Sequence, residues 1–355
     1  MQKAITLAEK GIYTARPNPA VGCIIVKDNQ IIGQGYHQKA GFAHAEINAL
    51  NHCKALGFSP ENATVYVTLE PCSHYGKTPP CVNALIKARI KRVIIASVDP
   101  NPEVNGIKIL KDAGIEVISG CLTDQADNLN KGFLKVMTTS EPYVRLKLAA
   151  SLDGRTAMAS GESKWITSEK SRNDVQKLRA RSGAIITGIG TVLADNPSLT
   201  VRKLTEDIAI DQPLRVVIDR KLKIPVDANI IHAQGQCAIV SASEDAEKIA
   251  MLENKNVDIV KLAFDESLLV NLLFILKEKY AIYDVLVETG HKLAASFLQA
   301  GLIDEFWYYI APCVMGKTAK PLFDLSYNTM AEKCQFTLES VSPLGDDIRS
   351  IYRKK

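Results

Sequence analysis

The sequence predicts two α/β domains in succession. Three observations carry this. The chain has 355 residues, enough for two domains, and 46% of them are hydrophobic, enough to bury two cores. Apolar, β-branched runs alternate with helical segments through both halves, after an opening hairpin. Between the halves lies Thr138-Thr139-Ser140-Glu141-Pro142, polar and proline-bearing, where the pattern stops and restarts. The expected domains are residues 1–140 and 141–355. The first carries a mixed sheet covered by helices on both faces.

Taken in order, residues Lys3 to Lys10 read as a helix ended by Gly11. Val21 to Val26 and Ile31 to Tyr36 are strands around Lys27-Asp28-Asn29-Gln30, which makes them a hairpin. Ala45 to Leu56 is a helix, and Thr64 to Leu69 a β-branched strand stopped by Pro71. Val82 to Ala88 is helical, and Val93 to Val98 is a strand ending at Asp99-Pro100-Asn101-Pro102. A helix (Ile107 to Ala113), a strand (Ile115 to Ile118) and one helix from Leu122 to Met137 close the first half. The second half restarts with a strand at Tyr143 to Leu148, a helix around Ser168 to Ala180 and a strand at Ala184 to Thr187. Strands follow at Arg215 to Asp219, Cys237 to Ser241, Asp284 to Glu288 and Phe306 to Ala311. There is no internal repeat.

The net charge is +4 with 23% charged residues, too mild to point to nucleic acid or an acidic membrane as partner. No apolar run is long enough to span a bilayer, and the first residues lack the apolar stretch of a secretion signal. Eight cysteines are scattered over a long chain, unlike a secreted disulfide framework, so the expected compartment is the cytosol. Six of them (Cys23, Cys53, Cys121, Cys237, Cys313, Cys334) read as small buried hydrophobes.

The other two, Cys72 and Cys81, each follow a proline, and His44-Ala45-Glu46 precedes them. One imidazole and two thiols hold zinc with a fourth position left open, which distinguishes a catalytic from a closed structural site. His44 and Glu46, two apart, would point to nearly opposite sides within a helix. They converge only if His44 stands at the helix entrance. Cys81 opens a helix, whose N-terminus favours the thiolate. Glu46, not itself a ligand, would carry a proton from water to a ring nitrogen and then to departing ammonia. That division of labour is the general pattern of zinc deaminases. The bland alternative is a metal-free pair of buried thiols beside a surface His-Glu. A closed structural zinc would need His74 as fourth ligand.

Eight residues separate the two cysteines, where most base deaminases have two. With this spacing, the chain closely resembles the bifunctional riboflavin-biosynthesis deaminase-reductases. Further segments agree: Pro17-Asn18-Pro19-Ala20-Val21-Gly22, Asp99-Pro100-Asn101-Pro102, Asn130-Lys131-Gly132-Phe133, Ser163-Lys164-Trp165-Ile166-Thr167 and Val287-Glu288-Thr289-Gly290. The resemblance covers nearly the whole chain. It implies a cytidine-deaminase-like three-layer α/β/α domain, then a dihydrofolate-reductase-like α/β domain. It implies Zn2+ and NADPH as cofactors and a phosphorylated pyrimidine as small-molecule substrate. The first domain would hydrolyse the 2-amino group of 2,5-diamino-6-(5-phosphoribosylamino)pyrimidin-4-one. The second would reduce the ribosyl group to ribityl. A homodimer or homotetramer through the second domain is implied as well.

The resemblance also assigns residues. Near the zinc mouth it places Asn18, whose amide suits a pyrimidine edge, with His37, Lys77, Asp99 and Asn101. It places NADPH on Ala149, Trp165, Thr191, Asp195 and the run Gly290, His291, Lys292, Leu293, Ala294, Ala295, Ser296. It places substrate on Ser163, Arg179, Leu199, Arg202 and Glu288. The two arginines suit a phosphate through a guanidinium fork. Lys147, at a strand end, is expected to assist proton transfer to the sugar oxygen. Gly188-Ile189-Gly190 has Leu193 where a third dinucleotide-binding glycine would fall, so a Rossmann reading is poor. The strand, Gly turn and helix at 285–294 is the stronger phosphate signal. Two further classes compete. A nucleic-acid-editing deaminase needs aromatics along a basic groove, yet only 6% of residues are aromatic and both tryptophans, Trp165 and Trp307, lie in the second half. A non-enzymatic zinc-stapled module would lose its fold with its metal.

Overall fold

A computed structural model describes residues 1–76, 78–202, 204 and 210–355. The chain divides into two compact units, Met1–Ser140 and Glu141–Lys355. The first contains α1 (Gln2–Glu9), β1 (Gly22–Lys27), β2 (Gln30–Tyr36), α2 (Ala45–Ala55), β3 (Thr64–Leu69), α3 (Cys81–Lys87), β4 (Arg92–Ser97), α4 (Gly106–Asp112), β5 (Glu116–Ser119), α5 (Thr123–Leu129) and α6 (Lys131–Thr139). Its sheet runs β2-β1-β3-β4-β5. The opening hairpin is antiparallel, β1 also lies antiparallel to β3, and β3, β4 and β5 are parallel, so the sheet is mixed. Asp28 and Asn29 both take left-handed backbone angles, as the tight turn between β1 and β2 requires. The core joins Ile25, Val65, Val67 and Ile95 from the strands to Ala49 and Leu85 from α2 and α3. Gly22 allows α1 to lie on β1: a Cβ there would stand 2.0 Å from Ala4 O.

The helix expected from Leu122 to Met137 is two helices. Asn130 breaks it, with φ −119° and ψ 25°. Its side chain takes both backbone groups of Ala20: Oδ1 accepts from Ala20 N–H at 2.8 Å and Nδ2 donates to Ala20 O at 3.0 Å. A partner 110 residues away cannot be read from periodicity.

The second unit contains β6 (Tyr143–Ser151), β7 (Arg155–Ala157), α7 (Glu169–Ala180), β8 (Ala184–Gly188), α8 (Ile189–Asp195), β9 (Leu214–Ile218), α9 (Asn229–His232), β10 (Cys237–Ser241), α10 (Ala246–Glu253), β11 (Val257–Lys261), α11 (Leu268–Tyr280), β12 (Asp284–Glu288), α12 (His291–Gln299), β13 (Glu305–Ala311), β14 (Lys320–Pro321), β15 (Phe336–Leu344) and β16 (Asp347–Lys354). Among the described residues its main sheet runs β11-β10-β9-β8-β12-β6-β13-β16-β15. All neighbours are parallel except for the β13–β16–β15 end. Parallel strands buried on both faces read as unbroken apolar runs, which is why β8, β9, β10 and β12 were legible. From β8 the chain moves outward to β9, β10 and β11. From β12 it crosses β6 to reach β13. The turns after β8 and β12, on neighbouring strands, thus lead in opposite directions. Such a switch point opens a crevice at the carboxyl ends of the strands.

Three of the six cysteines expected to be buried are not. Cys23, Cys53 and Cys237 are buried, but Cys121 is half-buried and Cys313 and Cys334 are exposed. Those three lie beyond strand ends, in segments that local apolar context does not bury.

Candidate active sites

In the first unit the metal-type cluster is built by two helix starts and one strand exit. His44 is the N-cap of α2, with extended backbone angles (φ −71°, ψ 167°), so Glu46 in the first turn of the helix stays on its side. Cys81 is the first residue of α3, after Pro80. Cys72 follows β3. Their ligand atoms lie within 4.8 Å of one another. His44 Nδ1 is 3.5 Å from Cys72 Sγ and 3.3 Å from Cys81 Sγ, and Cys81 N–H donates to Cys72 Sγ at 3.3 Å. The Cys81 thiol, with burial opposing and His44 assisting, holds the Cys72 thiol down to about 4. The same shared hydrogen bond, with burial, pushes Cys81 far up. Two sulfurs and an imidazole nitrogen, with no fourth side chain among the described residues and His74 exposed, fit a zinc ion with an open position.

The other His44 nitrogen, Nε2, meets Thr78 Oγ1 at 3.2 Å. With Nδ1 turned to the sulfurs, that hydroxyl holds the ring's orientation, as partners of metal-binding histidines do. Glu46 is 3% exposed. Burial, and then the Cys72 thiolate, push its carboxyl up to about 7, where a group can both take and return a proton near neutrality.

His37 is buried and lies edge-on to His44, with ring centroids 5.2 Å apart. Both its nitrogens have protein partners: Ala43 O at 3.2 Å and Asn18 Nδ2 at 3.0 Å. Asp99 and Asn101 lie in one tight turn, Asn101 N–H donating to Asp99 Oδ1 at 2.9 Å and Glu103 N–H to Asn101 Oδ1 at 3.0 Å. Burial raises the Asp99 pKa, with Glu70 and Cys72 among the further causes. Lys77 lies outside the described residues. The sequence reading missed Glu70. It is 6% exposed and accepts from Asp99 N–H at 3.3 Å and Ile107 N–H at 2.9 Å, so it fastens the 99–107 loop beside the Cys72 loop. A carboxylate ending an apolar strand run, just before Pro71, was the signal available.

In the second unit the crevice joins the two turns. A Cβ on Gly188 would stand 3.5 Å from Leu293, and one on Gly290 would stand 4.0 Å from Thr191 Oγ1. Gly290 caps α12, and the first-turn N–H groups of His291, Lys292 and Leu293 have no acceptor within the helix. Bare glycine backbone beside free helical N–H groups fits a dinucleotide phosphate. Ala294 and Ala295 do not fit the assigned contact. Their side chains are 0% and 3% exposed, and Ala294 N–H is bonded to Gly290 O, because the fourth residue of a helix begins its ladder. Ser296 Oγ bonds to Lys292 O.

Glu288 ends β12 beside Lys147 of β6, with which it is in register. Arg179 forks onto it, Nε to Oε1 at 2.6 Å and Nη2 to Oε2 at 2.9 Å, and its Nη1 donates to Thr200 O at 3.1 Å. Three of the five N–H donors of that guanidinium are thus committed within the protein, so Arg179 is first an anchor for Glu288, with one N–H left on each terminal nitrogen. Burial lowers the Lys147 pKa, and Glu288 opposes that shift. Ala149 lies two residues along β6, on the same face as Lys147. Ser163 Oγ bonds to Asp195 Oδ1 at 2.9 Å, so these two assigned residues form one unit. Trp165 is 70% exposed, and Arg172 stacks 4.5 Å over its ring. Leu199 is 6% exposed and packs in the core, which removes its side chain from substrate. Arg202 is exposed, and its guanidinium has no partner among the described residues.

Comparison with known proteins decides the lineage. Residues 1–97 match the model of the cytidine and deoxycytidylate deaminase zinc-binding region, and residues 142–349 match that of the RibD C-terminal domain. The riboflavin biosynthesis protein RibD of Escherichia coli is 44% identical over 98% of this chain and 96% of its own. That of Buchnera aphidicola is 44% identical over 100% and 97%. The chain belongs to the RibD family. The solved structure of Acinetobacter baumannii RibD, form 1, superposes with a TM-score of 0.92 at 48% identity, covering 100% of this chain and 97% of that one. A Thermotoga maritima diaminohydroxyphosphoribosylaminopyrimidine deaminase/5-amino-6-(5-phosphoribosylamino)uracil reductase gives 0.91 at 35%, over 100% and 97%. The chain is a bifunctional enzyme of riboflavin biosynthesis, a zinc deaminase joined to an NADPH-dependent reductase of dihydrofolate-reductase-like fold. It acts on a small molecule. No helix among the described residues is long and apolar enough to cross a membrane.

Proposed function

We propose that residues 1–140 deaminate and residues 141–355 reduce, with the residue roles that follow. The observation that carries the first half is the convergence of His44 Nδ1 on the Cys72 and Cys81 sulfurs at 3.5 and 3.3 Å beside buried Glu46. His44, Cys72 and Cys81 would hold zinc. Bound there, zinc supplies the Lewis acidity that makes water a nucleophile near neutral pH. Glu46 takes the proton from the attacking water, gives it to the pyrimidine ring nitrogen, and then serves the departing ammonia. Asn18 meets the pyrimidine edge. Asp99 and Asn101, held by Glu70, border the mouth, and Lys77 is assigned to the substrate by its residue type alone.

In the second unit the crevice between the turns after β8 and β12 would hold NADPH. Thr191, Gly290, His291, Lys292 and Leu293 meet its phosphates, and Ala149, Trp165 and the Ser163–Asp195 pair flank it. NADPH supplies the hydride. Lys147 gives a proton to the ribosyl ring oxygen as that ring opens. Glu288 holds Lys147 charged and in place, itself anchored by Arg179. Arg202 is the cation available to the substrate phosphate. We further infer a cytosolic homo-oligomer joined through residues 141–355, supported by the edge strand β15, which leaves Leu338 and Val341 exposed.

The test is separable loss. Glu46→Ala should abolish ammonia release from the diaminopyrimidine phosphate and leave NADPH-dependent reduction of the deaminated compound intact. Loss of both activities in a folded variant would refute these roles.

A further inference from the structure

The hydrogen bonds of His37 fix the polarity of its neighbour. Its Nδ1 lies 3.2 Å from Ala43 O, an atom that only accepts, so Nδ1 carries the ring proton. Its Nε2 lies 3.0 Å from Asn18 Nδ2, which only donates, so Nε2 accepts. Turning the amide over would set an oxygen against Nε2. That would demand a second ring proton, and hence a charge, on a ring 2% exposed. Asn18 Oδ1 is therefore the amide atom directed away from His37, and it has no protein partner among the described residues. The loop that carries it is fixed independently, by the two bonds from Asn130 to Ala20.

We propose that His37 is a positioning residue that presents Asn18 Oδ1 to the pyrimidine as an acceptor, so that the deaminase selects a ring N–H at that edge. This rests on the reading of Asn18 as a substrate contact. It replaces the substrate contact expected of His37 by an indirect role. The diaminopyrimidinone has one ring N–H, between its amino-bearing carbon and its carbonyl, and that is the group an acceptor would read.

Two measurements on the zinc-loaded full chain test this. Nitrogen-15 NMR of labelled histidine should find His37 as the neutral Nδ1–H tautomer at neutral pH. An Nε2–H tautomer or an imidazolium would overturn the proposal. In deamination kinetics, His37→Leu should raise KM roughly tenfold with kcat little changed and zinc still at one per chain, as fits one lost neutral hydrogen bond. It should also lose most of the wild-type preference for the natural substrate over its ring-N-methyl analogue. His37→Gln, whose Oε1 accepts where Nε2 did, should restore both. Undiminished preference in His37→Leu refutes the positioning role. Asn18→Ala separates the two readings: without effect on KM it refutes the substrate contact and the inference together. With a raised KM but the wrong His37 tautomer, only the inference falls.

Discussion

Asn130→Ala removes a side chain that touches no proposed ligand, yet it should be among the most damaging substitutions in the deaminase unit. The amide satisfies both backbone groups of Ala20, at 2.8 and 3.0 Å, and the two residues are 6% and 4% exposed. Truncation leaves a buried N–H and a buried C=O without partners. Each orphan costs about 1–3 kcal/mol, so the pair costs about 4 kcal/mol. For a unit of this size a melting shift of about 3 °C per kcal/mol gives a loss of about 12 °C. Asn130→Asp should be no milder. It keeps the acceptor for Ala20 N–H but sets a carboxylate oxygen against Ala20 O, where the donor was. Scanning calorimetry of the zinc-loaded chain reads the shift, and unchanged reductase activity confirms that the second unit is intact. Because Asn18 is two residues from Ala20, KM for deamination should rise as well. Melting within about 3 °C of wild type for both variants would refute the reasoning.

Three further outcomes are expected. Glu288→Gln breaks a buried ion pair and should cost about 3 kcal/mol at pH 7. Burial raises the Glu288 pKa, but Arg179 and then Lys147 lower it further, so the net shift is downward. The pair's contribution is thus whole above the unfolded carboxylate value of about 4.3 and fades as pH falls through the folded one. The stability gap between wild type and variant should narrow only below about pH 4, and a gap unchanged at pH 3 in urea titrations would count against this. Gly106→Ala would place a Cβ 2.1 Å from Pro71 O, one residue before the Cys72 ligand, so metal analysis should find less than one zinc per chain. Chelation should abolish ammonia release while circular dichroism keeps its α/β signature, because the first core is packed without help from the metal ligands; unfolding on chelation would favour the zinc-stapled module instead.

The sequence by itself determined both α/β classes and picked out His44, Cys72 and Cys81 as a candidate metal cluster, because each rests on local chemistry. The buried runs of β8, β9, β10 and β12 are apolar for their own length, and His44, Cys72 and Cys81 announce themselves by residue type and by their prolines and helix starts. The closing hairpin escaped, since edge strand β15 is mostly exposed and β16 buries polar Asp347 and Ser350 beside Ile351, so neither strand shows a clean apolar run. So did strands β7, β11 and β14 and helices α8 to α11. Only the tertiary structure could divide a helix at Asn130, occupy Arg179 with Glu288, bury Ala294 and Leu199, or choose which end of the Asn18 amide faces outward. Each of those was decided by a hydrogen-bonding or packing partner brought from far along the chain. A residue's type states which bonds it can form, and the fold alone states which of them are already made.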